Sequence, residues 1–378
     1  MHNVVISGYA RSPFTFAGKG ALTKVRPDEM ASQVVKALIE KTGVNPEDIE
    51  DVIMGSAFPE GEQGLNVARI VGFLAGVPQG AAATTVNRFC GSSMQAIHMA
   101  AGAVQMNAGE AFICAGIESM TRVPMGGFNP APHPGLFKDY PEAYVSMGVT
   151  AENLAKKYDL SRAEQEEMAV ESHKRAAAAQ SGGKFDDEIV AIVDGNLRVE
   201  EDGCIRPDTT AEGLAGLKPA FDQEGSVTAG TSSPLTDGAS AVLVCSEEYA
   251  DANNLPKLAR IKSIAVAGCA PEIMGIGPVP ATEKALKRAG VSLDDIEIIE
   301  LNEAFAAQAL AVMRESKMDY AKTNIDGGAI ALGHPMGATG ARITGKLASL
   351  LKREGKSLGL ATQCIGGGQG IATVLEAC

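Results

Sequence analysis

Short apolar runs alternate along this chain with longer segments in which apolar residues recur at helical spacing. In the first part of the chain they cover residues 4–7, 28–41, 51–54, 92–106 and 112–115. After Lys257 the same rhythm returns at 259–267, 282–289, 296–301, 338–352 and 359–362. Strand-length runs between helix-length amphipathic segments are typical of α/β folds. The pattern therefore predicts an α/β protein whose two ends resemble each other.

An internal repeat supports this prediction. At a shift of 247 residues, GVNPEDIEDVIMGSAF (43–58) aligns with GVSLDDIEIIELNEAF (290–305) without a gap, and seven of the sixteen positions are identical. The same shift places 87–97 on 334–344 and 111–120 on 358–367. Chance similarity between two αβ units is the alternative, but three blocks in one register favour a duplication.

The region between the repeats has a different character. It begins with PMGGFNPAPHPG (124–135), a Gly/Pro-rich stretch that predicts a loop. Helices are predicted at 150–158 and 162–179, the second capped by Ser161 with Glu164 in capping-box spacing. We expect an N-terminal half (1–117), an inserted loop domain (118–250) and a C-terminal half (251–378), with a ligand cleft between the core and the insertion.

Charge and hydropathy exclude several classes of partner. The formal net charge of the 378 residues is -13 at pH 7, and Lys and Arg form no basic tract. Nucleic acids and anionic membranes are bound by clustered basic side chains, so we expect no nucleic-acid partner and no membrane insertion. The N-terminus, MHNVVISGYARSP, lacks the pattern of a secretory signal, and no apolar run approaches membrane-spanning length. The predicted location is cytoplasmic.

The cysteine and histidine content argues against disulfides and metals. The seven cysteines are odd in number and widely scattered, which favours a reducing compartment over a disulfide framework. No CxxC or HxxxH spacing occurs, and the five histidines lie far apart in the sequence. We predict no metal site.

Cys90 is the first candidate for chemistry. It lies in NRFCGSS, after the β-rich TTV and directly before the helical run from Ser92. The dipole and free N–H groups of a helix N-terminus lower the pKa of a thiol, so this position predicts a thiolate nucleophile. On this motif alone, a small buried cysteine remains an equal alternative.

His334 lies in GGAIALGHPMGATGAR (327–342), a glycine-dense segment that predicts a strand-to-helix turn. The repeat pairs this loop with the Cys90 loop, so the two side chains come from opposite halves. An imidazole beside a thiol can take its proton and activate it. A structural histidine is the alternative, although Pro335 and five glycines indicate a backbone shaped around the ring. The spacing is not GxGxxG, so no dinucleotide site is expected.

A second thiol, Cys364, lies in TQCIGGGQG, where glycine N–H groups could receive an oxyanion. Its repeat partner is Ile117, and such asymmetry is expected of a specialised residue, although drift would also produce it. Asn302 in NEAF ends a predicted strand and could hold a water or a carbonyl oxygen. Cys114 and Cys245 lie in apolar runs and are predicted to be buried, whereas Cys378 is predicted to be exposed.

Four blocks, NRFCGSSMQA, NEAFA, GGAIALGHPMGATGAR and CIGGGQG, resemble in this order the signature blocks of thiolases. Intervening segments at 146–153, 218–233 and 272–281 resemble the same family, so the resemblance spans the chain. It implies a layered αβαβα core of two similar halves, an inserted loop domain that holds CoA, and a homodimer or homotetramer.

The resemblance also implies roles for single residues. Cys90 would be the acylated nucleophile, His334 its activating base, and Cys364 the acid/base at the carbon alpha to the thioester. Asn302 would orient a water that forms one oxyanion site with His334, and the N–H groups of Cys90 and Gly366 would form the other. The CoA pocket would include Met147, Arg206, Phe221, Ser233, Ala304 and Phe305. CoA is then a co-substrate, and no permanently bound cofactor is expected.

The implied reaction is the CoA-dependent cleavage of a 3-ketoacyl-CoA, with possible association with other β-oxidation enzymes. Many acetoacetyl-CoA-forming members have histidine before the Met-Gly at 147–148, where this chain has Ser146. That difference favours degradation, and acetoacetyl-CoA synthesis is the alternative. A ketoacyl-synthase-like enzyme and a non-catalytic acyl-CoA-binding protein are further alternatives. The presence of Cys364 argues against the first, and the complete Cys/His/Cys set argues against the second.

Overall fold

The computed structural model describes residues 2–378. The twelve strands are β1 (Val4–Arg11), β2 (Thr15–Phe16), β3 (Ile49–Gly55), β4 (Ala82–Val86), β5 (Ala111–Ser119), β6 (Ile192–Asp194), β7 (Leu197–Val199), β8 (Thr236–Ser246), β9 (Ala259–Gly268), β10 (Ile298–Leu301), β11 (Leu358–Ile365) and β12 (Gln369–Glu376). The twelve helices are α1 (Pro27–Thr42), α2 (Val67–Leu74), α3 (Ser92–Gln105), α4 (Pro134–Asp139), α5 (Met147–Lys157), α6 (Arg162–Ser181), α7 (Ala211–Ala215), α8 (Glu247–Ala252), α9 (Pro278–Ala289), α10 (Ala306–Ser316), α11 (Ala329–Leu332) and α12 (Met336–Glu354).

Ten strands form one mixed sheet, in the order β10-β11-β12-β9-β1-β8-β5-β3-β4, with β2 paired to β8. The strands β3, β4 and β5 are parallel to one another, and so are β10 and β11, whereas the remaining pairs are antiparallel. The two halves meet where β1 pairs with β9. The strand β4 forms an open edge.

Alternating side chains divide the protein into layers. On β5, Ile113 packs in the same cluster as α1, whereas Phe112 and Cys114 pack with α3 and α12. In the second half Leu360 packs with α9 and α10, and its neighbour Ala361 packs with α12. Successive residues of a strand point to opposite faces, so each half of the sheet has helices on both sides. The central pair α3 and α12 gives the αβαβα order that the thiolase resemblance implied.

The elements confirm most of the sequence pattern. The shift of 247 residues relates β3 to β10, α3 to α12 and β5 to β11. The predicted helices of the middle region are α5 and α6, and the capping box of α6 is present, with Ser161 N donating to Glu164 Oε2 at 2.7 Å. The loop predicted over 124–135 is wrong at its end, since α4 begins at Pro134. Proline is tolerated in a first helical turn because its missing N–H would have no intrahelical partner there.

The division into residues 1–117, 118–250 and 251–378 stays a prediction. Within the middle range, β8 is buried along its whole length and lies between β1 and β5 in the main sheet. Over residues 2–378, no helix has both the length and the apolar character needed to cross a bilayer. The same residues contain no group of three His, Cys, Asp or Glu side chains arranged to hold a metal ion.

Candidate active site

Cys90 lies in a 3-10 turn, Phe89–Gly91, that leads directly into α3. Phe89 has a φ of 42°, a left-handed conformation that is unusual for a residue with a large side chain. The hydroxyl of Ser92 stabilises the turn because it donates to Phe89 O at 2.6 Å and accepts from Arg88 N at 2.9 Å. The predicted position of Cys90 at a helix N-terminus is therefore confirmed.

The surroundings of the Cys90 sulfur correct the predicted thiolate. The side chain is buried and packs with Ala57, Met120 and Met336. Burial raises the pKa of the Cys90 thiol to about 11, although hydrogen bonds from the N–H of Gly366 and from its own N–H act in the opposite direction. The predicted lowering of the Cys90 pKa is wrong because loss of hydration outweighs the effect of the helix terminus. A thiol in this environment would need a base in order to react as a nucleophile.

His334 lies in a sharp turn between α11 and α12, so the predicted strand-to-helix turn is a helix-to-helix turn. Gly333 has a φ of 101°, and a Cβ at that position would lie 2.6 Å from Thr236 Oγ1. The same hydroxyl accepts from His334 N at 3.0 Å. Glycine at 333 thus permits the close approach that holds the backbone of His334.

The hydrogen bonds of the imidazole assign its tautomer. Nδ1 lies 2.6 Å from Thr339 Oγ1, and that hydroxyl donates its own proton to Pro335 O at 3.1 Å. Thr339 must therefore accept from Nδ1–H, which leaves a lone pair on Nε2. Burial and then the charge of Arg342 lower the pKa of His334 to about 3, so the ring is neutral near pH 7. Nε2 can accept a proton.

Two further predicted residues lie beside this pair. Asn302 directly follows β10, and its Nδ2 lies 3.3 Å from His334 Nε2. Its Oδ1 is buried and has no hydrogen-bond partner within residues 2–378, so it can accept from a water or a substrate group. Cys364 lies on β11, and burial, followed by the proximity of Cys90, raises its pKa. Cys364 therefore holds its proton near neutral pH and can act as an acid.

One cavity of about 560 Å³ contains this chemistry. Cys90, His334 and Cys364 line it together with all six residues predicted for the CoA pocket, namely Met147, Arg206, Phe221, Ser233, Ala304 and Phe305. Asn302 and Gly366 do not line it, but Asn302 contacts His334 and Gly366 contacts Cys90. A groove of about 670 Å³ beside α6 and α10 is larger but has no cysteine in its lining. The reactive groups therefore identify the smaller cavity as the candidate site.

The cavity wall is largely apolar. The rings of Phe221 and Phe305 meet edge to face at 5.8 Å, and Ser233 Oγ donates to Ala304 O at 3.0 Å. Five methionines complete the lining, at positions 120, 125, 147, 274 and 336. Methionine side chains adapt to ligands of different shape, so this wall can accommodate an alkyl chain.

Two exposed cations lie at one end of the cavity. Lys19 Nζ is 4.5 Å from the ring centroid of Phe16, and Arg206 Cζ is 5.6 Å from the same centroid. Neither cation forms an ion pair within the described residues. This end is therefore suited to a phosphorylated ligand despite the acidic net charge.

Sequence reasoning missed several residues that hold the site together. Gln363 Nε2 donates to Cys90 O, which connects β11 to the turn of the other half that contains Cys90. Thr339 orients the ring of His334, and the carboxylate of Glu118 lies near Cys90. Gln363 is adjacent to Cys364, and Thr339 lies within the sequence block that contains His334. The sequence therefore indicated the segments in which these two residues lie, but it did not predict their hydrogen bonds.

Comparisons with known proteins agree with this geometry. The family model described as "Thiolase, N-terminal domain" matches residues 4–248, and "Thiolase, C-terminal domain" matches residues 255–377. A 3-ketoacyl-CoA thiolase of Bacillus subtilis is 47% identical, with 99% of each chain covered, and one of Aliivibrio fischeri is 50% identical, with 100% of each covered.

Solved structures are similar over the whole chain. The crystal structure of the Bacillus anthracis acetyl-CoA acetyltransferase has a TM-score of 0.93 at 42% identity, covering 100% of this chain and 99% of that one. The human mitochondrial 3-ketoacyl-CoA thiolase in complex with CoA has a TM-score of 0.93 at 39% identity, covering 100% and 98%. Both the fold and the full length are therefore shared with these proteins.

Proposed function

The chain belongs to the thiolase family of acyltransferases, and from that membership we propose that it is a 3-ketoacyl-CoA thiolase. It cleaves a 3-ketoacyl-CoA with CoA to give acetyl-CoA and an acyl-CoA shortened by two carbons. The observation that carries the proposal is the single cavity in which Cys90, His334 and Cys364 meet beside an apolar wall. CoA is the co-substrate in this proposal.

In the first half-reaction, His334 Nε2 takes the thiol proton as the Cys90 sulfur attacks the 3-keto carbon. The N–H groups of Cys90 and Gly366 lie near that sulfur and stabilise the oxygen that becomes negative. The bond between C2 and C3 then breaks, and its electron pair passes into the acetyl-CoA enolate. The Cys364 thiol protonates C2 of the enolate, and the proton held by His334 is returned to Cys364.

In the second half-reaction, CoA enters after acetyl-CoA has left. His334 takes the proton of the CoA thiol, and the CoA sulfur attacks the thioester carbon on Cys90. The Cys90 sulfur leaves and recovers the proton from His334. Asn302 Oδ1 has no hydrogen-bond partner among residues 2–378, which supports the proposal that it holds a water beside His334 as the second oxyanion site. The two product releases predict ping-pong kinetics.

A second candidate function is condensation of two acetyl-CoA molecules, which the likeness to the Bacillus anthracis acetyl-CoA acetyltransferase favours. The two functions differ in chain length. The apolar, methionine-rich wall and Ser146 in the cavity lining support longer acyl chains. We therefore propose the degradative direction, within fatty acid β-oxidation.

The test is loss of 3-ketoacyl-CoA absorbance on addition of CoA, compared between C4 and C8 substrates. Each buried methylene stabilises a complex by about 0.8 kcal/mol, so we expect kcat/KM to be at least about tenfold higher for C8 than for C4. The absence of any CoA-dependent cleavage would contradict the thiolase assignment. Cleavage of C4 alone would leave the thiolase assignment intact and replace degradation by acetoacetyl-CoA chemistry.

We also propose a homodimer or homotetramer in a reducing, cytoplasmic setting, with possible contacts to other β-oxidation enzymes. The open edge strand β4 and exposed apolar side chains on the adjacent helix α2, Ile70, Phe73 and Leu74, support self-association. All seven cysteines are free, which supports the reducing setting. Light scattering on the purified protein tests the assembly, and a mass of one protomer would contradict it.

A further inference from the structure

Glu118 lies at the carboxyl end of β5 and is only 1% exposed. Its carboxylate accepts four N–H groups. Oε2 accepts from Ala57 N at 2.7 Å and from Gly337 N at 2.8 Å. Oε1 accepts from Gln63 Nε2 at 2.8 Å and from Phe58 N at 3.3 Å. A single buried side chain thus connects two points of the segment between β3 and α2 in the first half to the first turn of α12 in the second.

The bond to Gly337 connects Glu118 to the loop of the catalytic base. Gly337 lies three residues after His334, in the first turn of α12. A Cβ at Gly337 would lie 2.8 Å from Gly55 O, so only glycine allows the backbone of α12 to come this close to the first half. The Glu118 carboxylate therefore fixes the position of the N-terminus of α12, and with it the turn that carries the imidazole.

The bond to Ala57 leads towards the nucleophile. Asn87 Nδ2 donates to Ala57 O at 2.9 Å, and Asn87 Oδ1 accepts from Phe89 N at 2.8 Å. Phe89 immediately precedes Cys90. A continuous path of hydrogen bonds therefore connects the base loop to the nucleophile turn, and Glu118 is where the path crosses between the two halves.

The hydrogen-bond donors around Glu118 stabilise its ionised form. All four partners are N–H groups, so a protonated acid or an amide would direct a hydrogen towards another hydrogen. Burial raises the pKa of Glu118, and the four donors act against that rise. Burial raises the pKa of the Cys90 thiol, and the negative charge of Glu118 raises it further.

We propose that Glu118 is a positioning residue for the reaction, one that fixes the base loop relative to the nucleophile turn across the interface between the two halves. Glu118 does not line the cavity and acts through the loops it holds. A displacement of about 1 Å at reacting groups can lower the rate by about 100-fold. Loss of the Glu118 hydrogen bonds is therefore expected to affect turnover more than substrate binding. The proposal rests on the proposed function only for the turnover assay.

The test variant is Glu118→Gln, which keeps the volume of the side chain. We expect kcat to fall by about 10-fold to 100-fold. The KM for CoA should stay within about twofold of wild type, because the residues predicted for the CoA pocket are unchanged. The second readout is the rate of Cys90 alkylation by iodoacetamide as a function of pH, followed by mass spectrometry. Removal of a nearby negative charge lowers the pKa of a thiol. The pH at which the alkylation rate is half its maximum, called the alkylation midpoint below, should therefore be lower in this variant. The other titratable groups that line the cavity with Cys90, namely Lys19, Arg206, His334 and Cys364, are unchanged in this variant.

Glu152→Gln is a matched control. Glu152 is 2% exposed and accepts from Ser226 N at 3.0 Å and Val227 N at 2.9 Å, without contact to either catalytic loop. We expect it to lower thermal stability while kcat and the alkylation midpoint stay at wild-type values. A folded Glu118→Gln enzyme with wild-type kcat would overturn the proposal. A kcat reduced only in proportion to the folded fraction, with an unchanged midpoint, would overturn it as well.

If Glu118→Gln does not fold, Asn87→Ala tests the same path from an exposed position. It removes the two bonds between Ala57 and Phe89, and we expect kcat to fall about fivefold with KM unchanged. A wild-type kcat in this variant would contradict the proposal. The alkylation assay needs no CoA substrate, so a wild-type protein unable to cleave 3-ketoacyl-CoA would refute the proposed function and leave the role of Glu118 open to this assay.

Discussion

Cys90→Ala should reduce CoA-dependent cleavage of 3-ketoacyl-CoA by about 10⁴-fold or more, because the variant has no atom that can carry the acyl group. Loss of a covalent nucleophile is among the largest single-residue effects known in enzymes. The backbone N–H groups of Gly366 and of Cys90 itself also form hydrogen bonds with this sulfur. The measurement is loss of substrate absorbance, with intact-protein mass spectrometry to detect the acyl adduct.

Cys114→Ala is the matched control for Cys90→Ala. Cys114 is also buried, and its Sγ donates to Ala96 O at 3.5 Å on the helix that follows Cys90. We expect this variant to lose some stability, to keep turnover within about threefold of wild type, and to form the adduct normally. Activity above about 1% of wild type in Cys90→Ala, or an adduct on another residue, would show that a different group is the nucleophile.

Cys364→Ala should lower the rate of carbon–carbon bond cleavage much more than the rate of thioester exchange. Carbon–carbon cleavage needs an acid at C2, and the loss of a general acid typically costs about 10²-fold to 10⁴-fold. Transfer of an acyl group between Cys90 and CoA uses only His334 for its proton. We therefore expect cleavage and condensation to fall by that factor, while exchange of labelled CoA with acyl-CoA stays within about tenfold of wild type.

Cys269→Ala is the companion variant, because Cys269 is the other thiol close enough to influence Cys364 and does not line the cavity. Its cleavage rate should remain near that of wild type. Equal losses of cleavage and of exchange in Cys364→Ala would contradict the assigned role, since they would place Cys364 in a step common to both reactions.

The candidate residues could be selected from the sequence because Cys90 and His334 lie in turns with a distinctive backbone and Cys364 lies at the end of β11, just before a run of glycines. The repeat paired the loops of Cys90 and His334, and the glycines after Cys364 indicated exposed N–H groups. The helix pair that brings the loops together follows from the same repeat, because α3 and α12 are related by its shift. Periodicity, the repeat and the resemblance to thiolases were therefore sufficient for the fold, whereas the roles of Cys90, His334 and Cys364 stay predictions.

The remaining features depend on contacts between distant parts of the chain. Gln363 reaches Cys90 O from the other half, and Glu118 appears in the sequence only as a charged residue at the end of an apolar strand. The direction of the Cys90 pKa was wrong because the helix terminus is visible in the sequence, whereas the enclosure by Met120 and Met336 is not. Burial by side chains remote in sequence decides such shifts.

The protonated state of Cys90 also bears on the survival of the enzyme under oxidative stress. Peroxides and disulfides react with thiolates far faster than with thiols, and a sulfinic acid formed at a nucleophile ends its activity. Burial raises the pKa of Cys90 to about 11, so we expect the thiol to react slowly with peroxides when no substrate is bound. Under the proposed function, the thiolate of Cys90 would form only when a substrate carbonyl and the neutral His334 are both in place.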